Sequence, residues 1–125
     1  MKKTIHTDNA PKAIGPYSQA VETNGMLFIS GQLPVNPVSG KIESDNISEQ
    51  TDRVLKNIGA ILEAAGYSYK NVVKSTVLLK NMSDFAGMNE VYAKYYTSEM
   101  PARVAYEVAA LPMGALVEIE TVAAG

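Results

Sequence analysis

The chain has 125 residues, 46% hydrophobic and 19% charged, with a net charge of −2, a composition that suits one globular domain (residues 1–125) and not a disordered segment. It has no cysteine and a single histidine, His6, which excludes disulfides, thiolate catalysis, cysteine-ligated metals and any multi-histidine metal site. No run of basic residues offsets the acidic balance, so electrostatics argues against a nucleic-acid partner, and no apolar run approaches the roughly 18 residues of a membrane span.

Lys2 and Lys3 are not followed by an apolar stretch, so the first residues do not read as a secretory signal. With the lack of cysteine, this leads to the expectation of a cytoplasmic protein. Residues 3–7 form a short strand candidate. Residues 8–16 read as a loop broken by Pro11, Gly15 and Pro16. Residues 17–23 and 26–30 read as two strands joined at Asn24-Gly25, the strongest short hairpin signal, with Gly31 ending the second. Residues 32–45 carry Pro34, Pro37 and Gly40; this long connection suits a shaped loop over a site or a plain surface loop equally well.

Asn46 can cap a helix, with Glu49 in the capping-box position. Ile47, Val54, Ile58, Ile61, Leu62 and Ala65 then fall on one face, and Gly66 is the stop. Residues 72–80 alternate as a strand with Val73, Ser75, Val77 and Leu79 on one face. Ser83 or Asp84 can cap a second helix reaching about Tyr96. Its stripe of Phe85, Met88, Tyr92 and Tyr95 reads as core more readily than as a base-stacking platform. Residues 101–120 read as two strands around a short connection containing Pro112 and Gly114.

The order β-β-β-α-β-α-β-β predicts an α+β fold: a mixed sheet with both helices on one face and two strand–helix–strand crossovers. The second face is left uncovered although apolar residues point to it. Another subunit is therefore expected to cover it, which would place charges of that face at a subunit junction.

Within the apolar run 101–120 stand Arg103, Glu107, Glu118 and Glu120, and charges are almost never buried unless paired. The Arg103 guanidinium matches a carboxylate ligand or an ordinary ion pair with a nearby glutamate. A carboxylate at Glu118 in a low-dielectric pocket can move protons near neutral pH, or form a structural salt bridge, for which Arg103 itself is a candidate partner. Glu120 shares its face by alternation. Gly31, after Ser30, allows close approach of a ligand or simply a turn. Tyr17 is a pocket phenol or a core aromatic, and Asn89 can bond a loop or a ligand. His6, near the start and flanked by polar residues, reads as solvent-facing, which leaves acid–base work to carboxylates, Tyr, Lys or water.

As a set, Gly15-Pro16-Tyr17-Ser18-Gln19, Ser30-Gly31-Gln32-Leu33-Pro34, Glu63-Ala64-Ala65-Gly66, Phe85 through Asn89 to Tyr92, and Pro101-Ala102-Arg103 … Val117-Glu118-Ile119-Glu120 resemble the RidA (YjgF-type) family across the chain. The resemblance implies a chorismate-mutase-like fold, a homotrimer with its sheets forming a central barrel, and three clefts between subunits. It implies cofactor-independent, metal-free hydrolysis of 2-enamines and 2-imines, such as 2-aminoacrylate and 2-iminopropanoate, to 2-keto acids and ammonia. Carried over by position, Arg103 would grip the substrate carboxylate and Glu118 would activate the water. Tyr17 would line the pocket, Ser30 and Gly31 would shape it, Asn89 would sit at its rim, and the Ala105 backbone would face the imine or the water. Many members carry Cys where this chain has Ala105, so thiol-dependent activity is not expected. A non-catalytic binder of 2-keto acids is the second reading. Ribonuclease activity, known for some members, is argued against by the acidic balance and the single histidine.

Overall fold

Asn24 and Gly25 both adopt left-handed backbone, with φ of 50° and 73°, conformations these two residues reach at little cost. They close the tight turn between β2 (Ala20–Thr23) and β3 (Met26–Gln32), with Thr23 opposite Met26. β1 (Lys3–Ile5) pairs antiparallel with the other edge of β2. The computed structural model describes residues 1–125, and the hairpin is followed by α1 (Ile47–Ala64), β4 (Val72–Leu79), α2 (Phe85–Tyr95), β5 (Ala102–Glu107) and β6 (Val117–Ala124). The element order is the expected one.

Both ends of α1 follow from its sequence. Asn46 Oδ1 accepts from the Glu49 N–H at 2.9 Å. The Glu49 carboxylate reaches back to the Asn46 side chain and to Ser44 Oγ, while the Asn46 backbone N–H donates to Ser44 Oγ at 3.2 Å. The expected capping box is thus shared with Ser44. At the other end Gly66, with φ of 84°, lets its own N–H reach Glu63 O and the Tyr67 N–H reach Leu62 O, a Schellman closure.

The sheet runs β1-β2-β3-β6-β4-β5. β6 lies antiparallel between β3 and β4, and β4 is parallel to β5. The crossover through α1 therefore skips over β6, whereas the one through α2 joins direct neighbours. Along β6, Val117, Ile119, Thr121 and Ala123 are buried beneath Val54, Leu55, Ile58, Ile61 and Leu62 of α1 and Met88, Val91 and Tyr92 of α2. Each such aliphatic side chain contributes about 1.5–3 kcal/mol by leaving water. Both helices cover this one face, as the alternation predicts. Glu118, Glu120 and Val122 point to the other face, where Phe28, Val104 and Tyr106 stand 45, 43 and 48% exposed.

Four local expectations are corrected. β4 puts Val72, not Val73, in the core, because a bulge between Val72 and Lys74 turns Val73 out to 44% exposure. β2 begins at Ala20; Tyr17 and Ser18 precede it because the carbonyls of Ser18 and Gln19 accept from Ser30 across a non-ladder contact. β3 does not end before Gly31 but continues to Gln32 through a second bulge. Neither Ser83 nor Asp84 caps α2 through its side chain; a 3₁₀ turn, Met82–Asp84, leads in, and the Glu107 carboxylate accepts from the Met82 N–H at 2.8 Å.

The 32–45 connection is tied down by polar side chains that periodicity does not flag. Asn57, fully buried in α1, donates to Leu33 O at 3.1 Å and Val35 O at 3.0 Å. Gln50 donates to Ser44 O and accepts from the Leu116 N–H, both at 2.8 Å. Gln19, also buried, plays the same part for the first loop, bonding the backbone of Thr7 and Pro11. Asn57→Ala strands two inward carbonyls, so it is expected to lower unfolding stability by about 1–3 kcal/mol. Urea denaturation reads this directly, and limited proteolysis should cut first within residues 33–45.

Candidate active site

Ser30 and Gly31 stand together opposite the single Glu120, since Ile29 pairs with Thr121 and Gln32 with Ile119. This bulge brings the Gly31 backbone against the Glu118 side chain. A Cβ on Gly31 would lie 2.1 Å from Glu118 Oε2, so any larger residue would displace the Glu118 carboxylate from its present place. Ser30 Oγ donates to Ser18 O at 2.6 Å and Ser30 N donates to Gln19 O at 2.9 Å. These bonds hold the segment that carries Tyr17 alongside the bulge. Tyr17 itself is 54% exposed, so it is not a core aromatic. Partial burial, with a smaller contribution from the neighbouring charge of Glu120, raises the Glu118 pKa above the usual carboxylate value. The bulge thus gathers Ser30, Gly31 and Glu118, with Tyr17 on the segment bonded alongside.

Arg103 belongs to the opposite face. It pairs with Ser75, which is fully buried under the helices, and Ala105 pairs with buried Val77 in the same row. β5 is the outermost strand, so Arg103 stays exposed while its side chain crosses to α2. Its guanidinium lies 4.8 Å from the Tyr92 ring centre and 5.5 Å from that of Phe85, within the range of cation–π attraction. Its Nη1 donates to Asn89 Oδ1 at 2.6 Å. The chain's acid–base side-chain contacts are a Lys56–Asp52 ion pair and a His6–Asp8 hydrogen bond, so Arg103 has no carboxylate partner, and the ion pair with Glu118 that spacing allowed is not formed. Glu107 is structural, serving the turn before α2.

The predicted residues therefore fall into two groups: Ser30, Gly31 and Glu118 at the bulge, with Tyr17 on the adjoining segment, and Arg103, Asn89 and Ala105 at the β5 edge on the helix side. One groove of the single chain contains neither cluster. It lies between the 34–44 loop and the two helices, lined by polar side chains such as Asn36, Glu43, Arg53 and Lys94. No three His, Asp or Glu side chains converge in metal-binding fashion. His6 sits just past β1, at the far edge of the sheet from β5. Phe85 and Tyr92, read from the sequence as core, also serve Arg103; their spacing with Asn89 on one helix face was the available signal. No helix is long and apolar enough to cross a membrane.

The sequence profile of the family described as Endoribonuclease L-PSP matches residues 7–125. A RutC family protein of Pyrococcus horikoshii is 58% identical over 98% of this chain and 98% of its own. The human 2-iminobutanoate/2-iminopropanoate deaminase is 50% identical over 98% of this chain and 90% of its own. The crystal structure of YyfA, a member of the conserved Rid protein family from Yersinia pestis, superposes with a TM-score of 0.98 over all of both chains at 48% identity.

The raised proton affinity of Glu118 has a sign that can be tested. A folded-state pKa above the unfolded value means that the neutral carboxyl is the form that favours folding, a contribution fully present below the unfolded pKa and lost as pH rises through the folded one. Glu118→Gln is therefore expected to raise Tm at pH 7, and the gain should vanish as pH is lowered through the carboxylate range. A Tm difference independent of pH would refute this reading of the environment.

Proposed function

The chain belongs to the Endoribonuclease L-PSP family, that of the RidA and YjgF-type proteins, and from that premise we propose that it is a deaminase hydrolysing 2-imino acids, and their 2-enamine tautomers, to 2-keto acids and ammonia. Relatives at about half identity over nearly the whole chain carry the name of this activity. The observation of its own that carries the reading is Arg103, an exposed guanidinium held in place yet left without a carboxylate partner. Such a fork takes a planar carboxylate bidentately.

Arg103 grips the substrate carboxylate and presents the C2=N bond. Glu118 orients a water molecule, accepts a proton as the oxygen bonds to C2, and returns it to the imine nitrogen. The product of that step is a 2-amino-2-hydroxy acid. As its C–N bond breaks, the hydroxyl proton passes by way of Glu118 to nitrogen, the hydroxyl oxygen becomes the carbonyl, and ammonia leaves. Water and imine thus account for every atom of keto acid and ammonia, and positioning with one acid–base group is what the step requires. Glu118 suits that part, because partial burial raises its proton affinity toward neutrality. This also favours turnover over passive binding of a 2-keto acid. A ribonuclease reading, suggested by the family's description, finds little support, since the only imidazole lies at the opposite edge of the sheet from Arg103.

Because Arg103 and Glu118 project from opposite faces, one cleft must take Arg103 from one copy and Glu118 from another. A heterologous contact of that kind closes into a ring, and the family resemblance supplies the number three. The exposed Phe28, Val104 and Tyr106 of the open face support a covering subunit. Tyr17, Ser30 and Gly31 then shape the wall beside Glu118, and the Ala105 backbone lies on the strand that carries Arg103. The cytoplasmic setting belongs to the same proposal.

Coupling the protein to a serine or threonine dehydratase and following keto-acid release tests the reaction. Arg103→Ala should lower kcat/KM by about 100-fold or more, the scale of two lost charge-assisted hydrogen bonds. No acceleration by the parent, or parent-like turnover by Arg103→Ala, sinks the proposal. Arg103→Ala and Glu118→Gln chains, each inactive alone, should recover activity when unfolded and reassembled together, with about a quarter of the clefts intact under random assembly. Absence of recovery in mixed oligomers would show that the cleft is not shared.

A further inference from the structure

An arginine on an edge strand is a poor receptor unless something holds its fork, since its free side chain carries about 2 kcal/mol of rotamer entropy. Here one face of α2 does so, through Phe85, Asn89 and Tyr92 at spacings of four and three residues. The chemistry of these partners is distinctive: two ring faces and an amide oxygen, none of which carries charge. The nearby acids are engaged or turned elsewhere. The Glu107 carboxylate accepts from the Met82 N–H, and Glu118 and Glu120 project from the other face.

Resting on the reading of Arg103 as the carboxylate grip, we propose that Asn89 and Tyr92 are positioning residues that orient the guanidinium without neutralising it. Asn89 acts through Arg103, as the acceptor for Nη1. Four of the five guanidinium N–H donors are left for a planar anion. An acid at this position would form an ion pair and compete with the substrate carboxylate for the same fork. Tyr92 acts through its ring. The ring is buried and packed 4.5 Å from that of Tyr96, and its hydroxyl forms no hydrogen bond with Arg103, so the π-face supplies the contact.

The two ideas are separated by measuring KM and kcat for dehydratase-generated 2-iminobutanoate, together with calorimetric Kd for 2-ketobutanoate, in Asn89→Asp, Tyr92→Leu, Tyr92→Phe and Arg103→Ala. Asn89 is exposed, so Asn89→Asp folds as the parent does. Asn89→Asp should raise KM and Kd about tenfold or more, equivalent to about 1.4 kcal/mol, with kcat held within about twofold. Tyr92→Leu should raise KM in the same direction, and Tyr92→Phe, which restores the ring, should bring it back. If Asn89→Asp and Tyr92→Leu bind like the parent while Arg103→Ala does not, the positioning role is wrong and the carboxylate grip stands. If Arg103→Ala also binds like the parent, both fall. A drop in kcat at unchanged KM in Asn89→Asp overturns the proposal as well.

Discussion

The structure depends on the double pairing of β6. This strand is hydrogen-bonded to β3 on one side and β4 on the other, and without it the sheet is two unrelated pieces. Its alternation does two jobs at once. Val117, Ile119, Thr121 and Ala123 complete the core under the helices, while Glu118 and Glu120 are carried in the middle of the opposite face. An acidic side chain in mid-sheet is tolerable because one flank is the glycine bulge at Ser30–Gly31, which leaves room for the carboxylate. The same constraint separates the two chemical groups, because β5, two places along, turns Arg103 toward the helices.

Much of this was legible in the order of residues. Asn24-Gly25, the Asn46 cap, the Gly66 stop and the apolar stripes act over a few residues, so reading them locally recovers the elements and the one-sided helix cover. Register is a different matter. Nothing local in residues 117–124 says that they enter between two earlier strands, and the bulges at Val73 and at Ser30–Gly31 exist only relative to that partner. Val73 follows the alternation of its neighbours and is nevertheless turned outward. Gln19, Gln50 and Asn57 look like solvated polar residues, yet they are buried because each satisfies the backbone of a distant loop.

The candidate site shows the same division. The residue types and the family resemblance pick out Arg103, Glu118, Tyr17, Ser30, Gly31, Asn89 and Ala105 as a set. Spacing along the chain left open an ion pair between Arg103 and Glu118, and the parity of β5 against β6 removes it. Asn89 read as a group at the pocket rim, and its contact is with the arginine. Which groups meet is decided by facing, and facing is a property of the assembled sheet.

The position of β6 has a kinetic side. It follows every other strand in the chain, and its partner β3 precedes it by about 90 residues. The hairpin formed by β2 and β3 and the parallel pair formed by β4 and β5 can each assemble from shorter-range contacts, but each then offers an open hydrogen-bonding edge. Joining them requires closing the longest loop in the molecule, a loss of chain entropy that precedes most of the burial that offsets it. Until that event both inner edges are templates for pairing with other chains. The strand that carries Glu118 is thus also the one whose arrival decides between a folded sheet and an aggregating one.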